Sequence, residues 1–139
     1  MMFERILVPV DLTEKNRSAV ETARQLALES EGRVTLLHVI EMLDLPFEEV
    51  EEFYRELERK AGDAMGRLAG ILEDAGVEHT LQVGYGQRAA EIVEFADEHD
   101  FDLIVLTSHR TDLENPAEDW ATLSHKVAIL AQCPVLLVK

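Results

Sequence analysis

Residues 5–10, Arg-Ile-Leu-Val-Pro-Val, are too few for a stable helix and too continuously apolar for a strand with one wet face. Such a run is a strand buried on both sides, with Pro9 expected at its end. A sheet buried on both faces needs helices above and below it, so the rest of the chain should supply them. Four more runs of the same kind follow: Val34 to Ile40, a weaker one at His79 to Val83, Asp102 to Thr107, and Val135 to Val138.

Helical patterns fill the gaps between these runs. Asp11 and Thr13 offer caps ahead of Val20, Ala23, Leu26 and Ala27, whose spacing lays an apolar stripe along one face, and Gly32 marks the stop. After Leu45-Pro46 a long acidic helix is expected over about residues 47–75, with Val50, Phe53, Tyr54, Leu57, Ala61, Met65, Leu68 and Leu72 among its core stripe. Glu48, Glu49, Glu51, Glu52, Glu56 and Glu58 interrupt that stripe and read as a solvated face, with cation binding or docking to a basic partner as the alternative. Gly84-Tyr85-Gly86 reads as a loop, a further helix runs through Ile92, Val93 and Ala96, and a last one covers about 116–131. Strands alternating with helices build right-handed βαβ crossovers, which predicts an α/β fold with one doubly wound open sheet of five mainly parallel strands.

A length of 139 residues is that of one ordinary domain, so a single domain, 1–139, is expected, without a second. No stretch approaches the ~20 apolar residues that cross a bilayer, and Met1 to Arg5 has no signal-peptide character, so a soluble, cytoplasmic protein is expected. A net charge of −15, from 28 acidic and 13 basic side chains, repels nucleic acid and anionic membrane surfaces and argues against both as partners. Cys133 is alone and reads as a small buried apolar residue rather than a disulfide or metal ligand.

Four local patterns carry a resemblance. Ile6-Leu7-Val8-Pro9-Val10-Asp11, Leu36-Leu37-His38-Val39, Asp102-Leu103-Ile104-Val105-Leu106 leading to Ser108-His109, and Cys133-Pro134-Val135-Leu136-Leu137-Val138 are each generic, but their order and spacing resemble the universal stress protein family over nearly the whole chain. The resemblance implies strand order 3-2-1-4-5, an adenine nucleotide alpha hydrolase-like fold, a role in stress response or regulation, and a homodimer often built by pairing the last strands. Val135, Leu136, Leu137 and Val138 would then form the dimer interface. Physics favours this, because an apolar edge strand with unpaired backbone groups is a liability unless something covers it.

Many members of that family bind ATP through Gly-x2-Gly-x9-Gly followed by Ser or Thr, after the fourth strand. Glycine is needed there because the backbone must approach phosphate oxygens closely. Here the segment reads Thr107-Ser108-His109-Arg110, ten further residues, then Ala121-Thr122, and all three glycines are gone. The matching positions that remain are His109 and Thr122, continuing into Leu123 and Ser124, with Pro9, Val10, Asp11 and Val39 at the adenine and ribose side. Together with Thr107 and Arg110 these are the candidate nucleotide-binding residues.

The replacement segment has its own logic. Asn115-Pro116-Ala117-Glu118 is a strong helix start, and Asp112, Glu114, Glu118 and Asp119 satisfy its dipole without a ligand. At ~6 Å in a water-like dielectric each carboxylate opposes each phosphate charge by roughly 0.7 kcal/mol. Arg110 pulls the other way by about 1.5–3 kcal/mol if it grips a phosphate, unless it pairs with Asp112 or Glu114, and Trp120 reads as filling the space the glycines left. The expectation is a dimeric regulatory protein that works through partner contacts, requires no cofactor and has a non-standard nucleotide pocket; the alternative is an ATP-binding sensor. Catalysis by Asp11 and His109 finds little support. Ser108 lacks the flanking glycines of a nucleophile elbow, and His38, His79, His99 and His125 show no metal-ligand spacing. His38, inside a buried strand, reads as a hydrogen-bonded core residue.

Overall fold

The computed structural model describes residues 2–108 and 123–139. In chain order the elements are β1 (Arg5–Pro9), a 3-10 turn (Glu14–Asn16), α1 (Arg17–Ser30), β2 (Arg33–Ile40), α2 (Phe47–Asp74), β3 (His79–Tyr85), α3 (Arg88–Glu98), β4 (Leu103–Thr107), α4 (Leu123–Leu130) and β5 (Val135–Val138). They build one five-stranded sheet in the order β3-β2-β1-β4-β5, and every neighbouring pair is parallel. The expected 116–122 part of the last helix lies outside the described residues.

Continuous apolarity in β1 has the expected meaning: Ile6, Leu7 and Val8 are all fully buried. Alternation divides them, with Ile6 and Val8 packing in the core formed with α1 and α2, and Leu7 in the opposite core with Ile92 of α3 and Val127 of α4. His38 is buried on β2, and its Nδ1 lies 2.8 Å from the Val10 carbonyl oxygen. Because a carbonyl only accepts, Nδ1 carries the proton and ties the end of β1 to β2.

Several local expectations shift. Thr13 caps only the 3-10 turn, through Lys15 N–H at 3.3 Å, and α1 begins later, at Arg17. Glu31, with φ of 57°, makes the left-handed stop of α1, rather than Gly32. Gly32 is needed for space, since a Cβ there would lie 2.8 Å from the carbonyl oxygens of both Phe3 and Glu4. β3 runs on through Gly84 and Tyr85, paired with Val39 and Ile40, so the turn falls on Gly86 alone. Asp102 precedes β4 instead of opening it, and its carboxylate accepts the N–H groups of Glu4 (2.9 Å) and Arg5 (3.1 Å) at the start of β1. Phe53 leaves the core stripe at 50% exposure. Position around the helix does not account for this, since Ile71, 18 residues and five full turns further on, lies on the same line and is buried.

On α2, Gly62, Gly66 and Gly70 face open space, where an added Cβ would meet nothing within 4 Å. Alanine restricts the unfolded chain and favours helix, so Gly66→Ala should stabilise the protein by about 0.5–1 kcal/mol. A urea midpoint that stays put or falls would show that this face is in contact with something in solution.

Candidate functional site

β1 has β2 on one side and β4 on the other, so the chain leaves its carboxyl end where the strand order reverses and a crevice opens. A cleft of about 240 Å³ occupies that point. Pro9, Val10 and Asp11 enter it from the end of β1, Val39 from β2, Thr107 from β4, and Leu123 and Ser124 from α4. These are seven of the ten residues expected at a nucleotide site. The other three, His109, Arg110 and Thr122, lie outside the described residues, as does the pairing of Asp11 with His109.

The loop after β1 is built around two side chains. Asn16 is buried, and its amide donates to Asp11 Oδ1 (2.6 Å), the Asp11 carbonyl (3.1 Å) and the Thr13 carbonyl (2.9 Å). Asp11 Oδ1 also accepts from Thr13 N–H at 2.8 Å and Thr13 Oγ1 at 2.5 Å. All of these bonds go to one oxygen; among the described residues Oδ2 takes none. The carboxylate is thus fixed in orientation with one acceptor oxygen unspent. Its partial burial opposes ionisation, but the bonds from Thr13 and Asn16 and the charge of Lys15 outweigh that, holding the carboxyl below the usual aspartate range.

The rest of the cleft is a dry wedge with polar points. Val10, Val39, Ile92 and Leu106 are buried and line it. Thr107 Oγ1 is withdrawn from solvent and has no hydrogen-bond partner among the described residues, a state that costs stability unless the hydroxyl is used. Ser124 Oγ lies 3.4 Å from Ser108 Oγ. Among the described residues no group of three His, Cys, Asp or Glu is placed to hold a metal ion.

Sequence reasoning missed Lys15, Asn16 and Arg88, which also line the cleft. The first two lie in the loop after the switch-point strand, a position that was itself the available signal. Arg88 opens α3 just past Gly86, at the same sheet edge, and reaches Glu41 only loosely at 3.7 Å with both side chains exposed. In a chain of net charge −15, a rim carrying Lys15 and Arg88 beside one carboxylate is a local reversal.

Comparison with known proteins adds to this geometry. The model of the universal stress protein family matches residues 2–139. The chain belongs to that family. A universal stress protein of Methanocaldococcus jannaschii is 31% identical, over 99% of this chain and 83% of its own length. Among solved structures, UspA of Lactobacillus plantarum superposes with a TM-score of 0.82 at 23% identity, covering 100% of this chain and 99% of that one. A universal stress protein of Archaeoglobus fulgidus in complex with dAMP does so with a TM-score of 0.74 at 20% identity, covering both chains fully. The last two likenesses concern the fold, whose strand order this universal stress protein shows in full.

Proposed function

We propose that this universal stress protein is a regulatory protein of the cytoplasmic stress response, that its cleft takes an adenosine monophosphate rather than a triphosphate, and that it acts through protein contacts. The observation that carries the reading is the unspent Asp11 Oδ2, held rigidly at the mouth of an apolar wedge. A ribose hydroxyl donates to such an oxygen, and a flat base fits between Val10, Val39 and Ile92. Thr107 Oγ1 offers a second bond, and Lys15 and Arg88 supply charge for a single phosphate. The glycines that admit a longer phosphate chain elsewhere in the family are replaced here, and four acids stand among the replacements. The dAMP complex of the Archaeoglobus fulgidus protein is a precedent within the fold for a ligand of this size.

Titration calorimetry of dialysed protein with AMP, ADP and ATP, each with and without Mg²⁺, tests the reading. AMP should bind in the micromolar range, with ATP no tighter. ATP binding tenfold tighter than AMP would overturn the monophosphate assignment, and no heat with any nucleotide would overturn the cleft assignment.

The dimer is part of the same proposal. β5 lies at the sheet edge beyond β4, and Leu136 is 39% exposed there. A second copy pairing along Val135–Val138 would satisfy the open backbone edge. Light scattering at tens of micromolar should return twice the chain mass; the single-chain mass would remove this part.

A further inference from the structure

The opposite edge of the molecule carries a second hollow that the nucleotide reading does not use. Its floor is Tyr54, 3% exposed, whose hydroxyl accepts the Leu43 N–H at 2.6 Å. Three rings surround Tyr54: Phe47 stacks at 6.3 Å, Phe53 tilts at 5.9 Å and Tyr85 meets it edge-on at 6.4 Å. Two of these rings are largely open to solvent, Phe47 at 60% and Phe53 at 50%, and Met42 beside them is 54% exposed. Met42, Phe47, Tyr54 and Tyr85 line a hollow of about 430 Å³ together with Glu51, Arg55 and Glu58. Exposed aromatic and methionine side chains gathered on a buried tyrosine are the composition of an interface centre, where single scattered apolar residues would be unremarkable.

Charge identifies the occupant. Residues 41–58, which carry the hollow, hold eight acids against one base. That base, Arg55, is spent on Glu51 (2.7 Å) and Glu52 (3.3 Å). Arg59 takes Glu56 at 2.6 Å and Arg88 lies 3.7 Å from Glu41, so the rim keeps a net excess of acid, with Glu51 and Glu58 lining it, around an apolar floor. A second copy of the chain would bring the same excess of acid and be repelled, and an anionic membrane surface would be repelled too. We propose that this hollow docks a cationic amphipathic helical segment of a partner protein, with an aliphatic or aromatic side chain over Tyr54 and lysines or arginines along Glu51 and Glu58. The inference rests on the reading of the chain as a protein that acts through contacts, and it names the surface and the chemistry of the contact.

The probe is a fluorescein-labelled 14-residue peptide of leucine and lysine at amphipathic helical spacing, titrated by polarisation without nucleotide. A leucine and glutamate peptide of the same pattern is the control. The basic peptide should bind in the micromolar range and the acidic one not at all. Phe47→Ala should weaken binding about tenfold and Glu58→Gln about threefold at low salt, each with an unchanged circular dichroism spectrum. Asp97→Asn, on α3, should change it less than twofold. No binding of the basic peptide, or equal binding by Phe47→Ala, would overturn the proposal. A changed oligomeric mass in Phe47→Ala would overturn it in favour of a second copy. None of these outcomes bears on the nucleotide titration, so failure of one reading leaves the other standing.

Discussion

Asp11→Asn is expected to weaken AMP binding by about tenfold or more while leaving the loop folded. Asparagine keeps an oxygen where Thr13 and Asn16 donate, but it replaces the unspent Oδ2 by an amino group and removes the charge. A hydrogen bond to a charged acceptor is worth about 1.5–3 kcal/mol, which converts to a loss of roughly ten- to 150-fold. Calorimetry on both proteins at pH 7 measures it, and equal affinities would remove Asp11 from the site. The same variant has a pH signature. A carboxyl held below its unfolded value stabilises the native state fully above the unfolded pKa of about 3.9, and that stabilisation drains as the pH falls through the lower native value. The stability difference between wild type and Asp11→Asn should be constant near neutrality and narrow below about pH 4.

Leu36→Ala is expected to cost about 2–5 kcal/mol of stability. Leu36 is fully buried in the middle of β2, in register with Val8 on one side and Leu81 on the other, and packs in the core shared with α1 and α2. That core is crowded by short side chains on α1 (Ala19, Ala23, Ala27), which leave little freedom to collapse into the void. The effect reaches the cleft, because the same strand carries Val39 three residues on. Urea unfolding should show a lower midpoint with an unchanged slope; a loss under 1 kcal/mol would mean the sheet closes over the gap.

Much of this was legible in the chain alone, for reasons that differ by residue. Ile6, Leu7 and Val8 announce a two-sided strand because nothing else buries three consecutive large apolar residues so short of a helix. The order 3-2-1-4-5 was not in any periodicity; it came from the resemblance alone, which with the switch-point rule then placed Pro9, Asp11, Val39 and Thr107 in one cleft. What stayed hidden depends on tertiary approach. Gly32 looked like a helix stop, whereas its constraint comes from two carbonyls about thirty residues upstream. Arg88 carried no pattern of its own and joins the site only because β3 runs two residues further than its apolar run. Phe53 fitted a helical stripe by spacing, and Ile71 on the same line of the helix is buried, but spacing does not say how far along the helix the packed core reaches.

The clamp of Asp102 on the backbone of Glu4 and Arg5 spans 98 residues, and β1 meets β4 across a similar interval. During synthesis the central strand therefore precedes the other strands of the sheet and keeps an open flank until β4 follows. Until the ribosome has released residues beyond 107, one flank of its most water-averse segment stands open, and the nascent chain is most prone to misassembly in that interval.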